Sequence, residues 1–242
     1  MITKHSKLFA GTLIMVASAP LLAFAAVTVP EKSRPPNVLF IMADDLNHWV
    51  GYTGRNKQTL TPNIDRLSAM GESFTHAHCT APVCNPSRAA LFSGLRPGTT
   101  GVYGNAQDWR PGIAPDLTLI STLRRAGYEM LGAGKLYHGG FDRREEFNDY
   151  LTEKPRDRGE PMVKPQRFSQ VVFAPLTSGD EDMPDYNVAN YGIAQLQKSH
   201  DKPFFLGIGF HKPHPPFMVP KKYFDMHPLA TRKARKAGKA AK

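Results

Sequence analysis

Three short apolar runs, each ending in polar residues, limit the folds open to this chain. They are Asn37 to Ala43 with Asp44-Asp45 after it, Tyr128 to Ala133 with Gly134-Lys135-Leu136-Tyr137-His138 beyond, and Phe204 to Phe210 with His211-Lys212-Pro213-His214. Runs of this length suit strands buried on both faces of a sheet. Between them, Thr61-Pro62 reads as N-cap and first helical residue, with Ile64, Leu67 and Met70 on one face and Gly71 as the stop. Asp116 can cap a helix that turns Leu119, Ile120 and Leu123 inward and stops at Gly127. Asp185 to Gln197 is helix-compatible, with Val188 and Tyr191, joined by Ala194 and Gln195, on one side. Ser73 to Ala77 reads as a short strand, and Phe141 to Asp182 as an irregular surface excursion. The recurring order of strand, polar residues, then helix or loop predicts a three-layer α/β domain with a largely parallel central sheet.

Ligand sites of open α/β sheets gather at the carboxyl ends of the strands, which draws attention to Asp44, Asp45, Lys135 and His138. A further concentration of chemistry lies in Cys79 to Gly94, CTAPVCNPSRAALFSG. Cys84 precedes a helix-compatible segment, and Pro86 suits a first turn because its missing N–H would be unpaired there anyway. Free N–H groups and the Arg88 guanidinium are expected to form an anion site at that terminus, with the thiol drawn toward the thiolate. Cys79 is read as a small buried residue beside the site. A buried structural cysteine before a helix stays open as the other reading of Cys84.

The pattern C-x-P-S-R, an apolar run and S-G, here Cys84 through Gly94, resembles the signature of the type I sulfatases. That resemblance implies an alkaline-phosphatase-like fold. It spans residues 36 to 227, the N-terminal portion of a usual member, so an incomplete domain is expected. It also implies that a formylglycine-generating or other maturation enzyme oxidises Cys84 to formylglycine, whose hydrate is the nucleophile. Asp44, Asp45 and residue 84 would then bind a divalent cation, Ca²⁺ before Mg²⁺, with two more ligands from a D-H-G or D-N-G motif that the sequence does not contain. Lys135 and His138 match the family's G-K-x-x-H element. By resemblance Lys135 bridges nucleophile and sulfate, His138 orients the hydrate and takes its proton, and His211 meets the leaving-group oxygen. His214 either joins them or packs beside its prolines. The H-K-P-H-P-P-F segment is similar to that of iduronate-2-sulfatase-like enzymes, which implies a sulfated carbohydrate substrate. Two alternatives stay open: a phosphate or phosphonate monoester hydrolase of the same fold, and an inactive exported protein that binds polyanions through its basic end.

The first 25 residues read as a signal peptide: basic Lys4, His5 and Lys7, an apolar stretch from Leu8 to Leu22, and Ala23-Phe24-Ala25 for cleavage. Export to the periplasm or medium follows, without a stable membrane anchor, because the apolar stretch is short and interrupted. Residues 26–36 read as a linker. The net charge of +10 suggests nucleic acid, but its placement argues against a specific one. Six of those charges lie between Arg232 and Lys242 and two on Lys4 and Lys7, leaving the body at +2. Residues 228–242 are expected to be a basic tail foreign to the fold. Two cysteines five apart give no zinc quartet, and a disulfide between them would consume Cys84.

Overall fold

The computed structural model describes residues 34–152, 159–168 and 171–228; the expected signal peptide and residues 229–242 of the expected basic tail lie outside them. Contacts divide the chain into Met1–Arg34 and Pro35–Lys242, and every described element belongs to the second. In order these are β1 (Val38–Ala43), α1 (Pro62–Ser68), α2 (Cys84–Ser93), α3 (Pro97–Thr100), α4 (Leu119–Arg125), β2 (Glu129–Gly134), β3 (Asp149–Leu151), β4 (Gln166–Phe168), β5 (Val171–Leu176), α5 (Pro184–Gln197), β6 (Phe204–Phe210), β7 (Phe217–Pro220) and α6 (Lys221–Asp225). Among the described residues, no helix is long and apolar enough to cross a membrane.

The central sheet runs β1-β6-β2-β3, and every pairing in it is parallel. Side chains alternate across a strand, and β2 and β6 bury both sets. Met130 and Phe205 join Ala89, Phe92 and Ile120 from α2 and α4. Leu131, Ala133, Leu206 and Ile208 join Val188 of α5. Helices on both faces make the three layers. Each large apolar side chain removed from water contributes roughly 1.5–3 kcal/mol, so these two strands hold the layers together.

β1 departs from the expectation of a strand buried on both faces. Val38, Phe40 and Met42 pack on the first cluster, but Leu39 is 46% and Ile41 53% exposed. The reason is position: β1 pairs only with β6 among the described strands, and α5 lies over β2 and β6. The stripe expected on α1 is likewise exposed, Leu67 and Met70 included. Hydrogen bonds hold that helix instead. Asp65 Oδ1 accepts from the Tyr52 N–H (2.8 Å) and the Thr61 hydroxyl (2.9 Å), and Thr61 Oγ1 accepts from the Gly51 N–H (2.7 Å). Ala69, not Gly71, follows its last turn. Residues 73–77 form no strand.

Two further expectations shift. Thr118, not Asp116, caps α4: its hydroxyl accepts from the Ser121 N–H (2.9 Å), and Ser121 Oγ accepts from the Thr118 N–H (3.1 Å). That reciprocal pair satisfies two donors of the helix start. The stretch from 141 to 182 is not merely surface. It supplies β3 to the central sheet and β4 and β5 to a second sheet, β4-β5-β7. Its buried residues are mixed: Arg143 and Glu146 beside Phe147, then Ala174 and Leu176 on β5. Glu146 accepts from Thr118 Oγ1 (3.0 Å) and Tyr137 Oη (2.5 Å). The Arg143 guanidinium lies over the Trp109 ring, 4.5 Å from its centroid, and donates to the Ile113 carbonyl (2.6 Å). On α5, Val188 and Gln195 are buried as expected, whereas Ala194 is exposed.

Candidate active site

Parallel pairing places the carboxyl ends of β1, β6 and β2 side by side, with Ala43 opposite Phe210 and Gly134 opposite Gly209. Asp44 leaves β1 there, Lys135 and His138 leave β2, and His211 and His214 leave β6. The Gly134–Gly209 step is close: a Cβ built on Gly209 would lie 2.2 Å from the Lys135 carbonyl carbon and oxygen. Lys135 N–H then donates to Gly209 O (2.7 Å), tying the two strand ends together.

α2 begins at Cys84 itself, two residues earlier than a start at the proline requires, with Val83 in extended conformation before it and Pro86 at the third position. Buried Asn85, unnoticed in the sequence, pins this turn. Its backbone N–H donates to Asn105 Oδ1 (3.0 Å), and its side-chain amide donates to the carbonyls of Gly104 (3.0 Å) and Gln107 (2.7 Å). One turn on, Arg88 points back to the sheet. Its guanidinium donates to Asp44 Oδ1 (2.8 Å) and to the carbonyls of Lys135 and Leu136. Lys135 Nζ donates to the other Asp44 oxygen.

This network corrects the expected helix-terminal anion site, because Arg88 is occupied by a carboxylate and two carbonyls. It also decides the charge of Asp44, which is 5% exposed. Burial would raise its pKa, but the hydrogen bonds and charges of Lys135 and Arg88 outweigh that and hold it below the ordinary value. The thiol behaves oppositely to expectation. Burial raises the Cys84 pKa, opposed by Lys135 and reinforced by Asp44 and Asp45, so no thiolate is favoured. Cys79 is exposed rather than buried. It shares with Cys84, Asp44 and Asp45 a cleft of about 630 Å³.

The two imidazoles at β2 and β6 are held neutral. Burial, then the charges of Lys135 and Arg88, lowers the His138 pKa. Burial, then Lys135 and His214, lowers that of His211 to about 4. The Nδ1 atoms of both are buried without a hydrogen-bond partner among the described residues. A second unforeseen residue fixes His211. The Asp185 carboxylate, in the first turn of α5, accepts from the backbone N–H groups of His211 (2.7 Å) and Lys212 (2.8 Å). An acidic residue one place after Pro184 was the only sequence signal for it.

Asp44, Asp45 and Cys84 each offer a ligand atom, all within 4.8 Å of one another. Each Asp44 oxygen accepts one hydrogen bond from this network and keeps lone-pair capacity. Paired carboxylates fit a hard cation such as Ca²⁺ or Mg²⁺, which takes further oxygens to fill its six to eight positions in the case of calcium. Asp45 has a left-handed φ of 57°, unlike any other non-glycine residue described, which carries the second carboxylate off the line of β1. The site thus gathers two carboxylates, two cationic side chains, three imidazoles and a thiol at one sheet edge, a set suited to an anionic ester and a divalent cation.

The sulfatase family profile matches residues 36–238. A sulfatase of Formosa agariphila is 37% identical over 222 residues, covering 83% of this chain and 43% of its own length. Iduronate 2-sulfatase of Mus musculus is 30% identical over 208 residues, covering 80% of this chain and 38% of its own length. The crystal structure of the phosphonate monoester hydrolase of Agrobacterium radiobacter superposes with a TM-score of 0.67 at 23% identity, over 83% of this chain and 45% of that one, a likeness of fold. The chain thus spans about two fifths of the length of these curated relatives.

Proposed function

The chain belongs to the sulfatase family, and from that premise we propose that it forms the nucleophile-bearing part of a sulfuric ester hydrolase acting on sulfated carbohydrates. The observation that carries the reading is the meeting of Cys84 at the start of α2 with Asp44, Arg88 and Lys135 at the ends of β1 and β2. A thiol whose pKa is raised is a poor nucleophile at neutral pH, which supports conversion of residue 84 by a maturation enzyme. Formylglycine made there supplies a hydrated aldehyde, with one hydroxyl to attack sulfur and a second to permit release. A divalent cation, Ca²⁺ in preference to Mg²⁺, would be held by Asp44, Asp45 and residue 84 and supplies Lewis acidity toward the sulfate oxygens.

The remaining side chains have separable tasks. Lys135 presents positive charge where the sulfate oxygens gain negative charge, while Arg88 holds Asp44 and the Lys135 backbone in position. His138, neutral at pH 7, accepts a proton. His211 serves the leaving-group oxygen; burial is the main cause of its lowered pKa, and an arriving anionic ester opposes the second cause, the charge of Lys135. Similarity to iduronate 2-sulfatase supports a sulfated uronic acid as the substrate, and a signal peptide at 1–25 supports export.

Co-expression with a formylglycine-generating enzyme, followed by mass spectrometry of the peptide containing residue 84, tests the reading. An aldehyde or its hydrate is expected in place of the thiol. The matured protein should release sulfate from a 2-O-sulfated uronic acid oligosaccharide faster than phosphate from a monoester. Active protein that retains only the thiol, or a preference for the phosphate ester, would overturn it.

A further inference from the structure

We infer that the end of β6 carries a second metal site, built from Asp44, His211 and His214, that takes a transition-metal dication such as Zn²⁺ or Co²⁺. The inference goes beyond the hydrolase reading and stands without it. One ligand atom from each of the three residues lies within 4.8 Å of the others, close enough for one ion to draw all three together with small side-chain adjustments. The two imidazole nitrogens suit transition metals such as zinc and copper, whereas the paired carboxylates of Asp44 and Asp45 suit calcium and magnesium once residue 84 is no longer a thiol.

Three features show a site prepared for this role rather than a chance cluster. His214 Nδ1 lies 2.6 Å from the Pro215 carbonyl. A carbonyl only accepts, so Nδ1 carries the proton and Nε2 presents its lone pair; metal-bound histidines are commonly fixed in this way. That Nε2 stands 3.8 Å from an Asp45 oxygen, a negative charge that partly offsets the Lys135 and Arg88 charges held on Asp44. His211 holds a buried Nδ1 with no partner among the described residues. Its ring centroid is 4.8 Å from that of His214, and the Asp185 clamp on the His211 and Lys212 N–H groups fixes the segment that carries both rings. Three protein ligands leave one tetrahedral position for water or an anion. Asp44 is common to both groups, so an ion at one weakens binding at the other.

The test uses the whole chain bearing Cys84→Ser, so that the thiol cannot serve as a cobalt ligand. Titration with Co²⁺ alone should produce visible d–d absorption that Zn²⁺ abolishes and that Ca²⁺ displaces only at much higher concentration. His211→Gln and His214→Gln in the same background should each weaken Co²⁺ binding by at least about tenfold. Absence of cobalt binding in the Cys84→Ser chain, or unchanged affinity in either histidine variant, would overturn the site. If a variant loses its native circular dichroism, histidine ring proton resonances of the Cys84→Ser chain decide instead. Zn²⁺ should shift those of both His211 and His214, and a shift in neither or in one alone rejects the proposal.

Discussion

β1 and β6 look alike as sequence, VLFIMA and FFLGIGF, and lie side by side in one sheet, yet they are buried differently. β6 has a strand on each side and helices over both faces, so Phe205 and Leu206 are at most 1% exposed. Among the described strands β1 has one partner, and its Leu39 and Ile41 face outward. Apolar composition therefore identifies a strand but not its rank in the sheet. Rank is set by neighbours that arrive from distant parts of the chain. Both strands nevertheless end at the site, one delivering Asp44 and the other His211. The stability of the sheet centre and the chemistry of its edge are thus separable.

Four measurements would sharpen or break that contrast. Phe205→Ala should cost the most, about 3–5 kcal/mol of unfolding free energy in a denaturant titration; a loss under about 1 kcal/mol would deny β6 its central position. Gly209→Ala should cost less, about 1–3 kcal/mol, because its methyl group meets the Lys135 backbone. It should also displace Lys135 resonances, whereas an unchanged spectrum would mean that the strand ends are not interlocked.

A smaller effect is confined to acid. The folded-state pKa of His211, about 4, lies below its ordinary value of 6.5. The unfolded chain therefore binds more protons between those values, and stability falls as pH drops across that window. In metal-free buffer, His211→Gln should show a shallower fall there; a parallel profile would remove His211 as a buried neutral group. The smallest effect belongs to the outer face of β1. Ile41→Thr should shift stability by no more than about 0.5 kcal/mol, and a loss comparable to that of Phe205→Ala would show that this face is covered in solution.

The same contrast explains what could be read from sequence. The parallel sheet, α2, α5 and the strand-end residues were legible because continuous apolar runs and local polar endings report strands and their carboxyl ends directly. The exposed stripe of α1 carried a helical period without the packing that such a period ordinarily signals, since hydrogen bonds to the Gly51–Thr53 turn hold the helix. β3 was missed because it is three residues long and the turn before it is anchored by Glu146 and Arg143, and β5 because its alternating buried Ala174 and Leu176 sit inside a charged, proline-containing stretch. At the site, the residue types were legible but their electrostatics were not. A helix-start cysteine suggested a thiolate, whereas burial first, and then Asp44 and Asp45, distant in sequence, push its pKa the other way.

Asp185 has a consequence for transplantation. The H-K-P-H segment is short enough to be moved into another scaffold as a loop, yet its two leading N–H groups are gripped by a carboxylate 26 and 27 residues upstream. A graft limited to the visible motif would carry the imidazoles and leave their mount behind. The smallest portable unit is therefore the whole excursion from α5 through β6, with the helix start and the strand end travelling together.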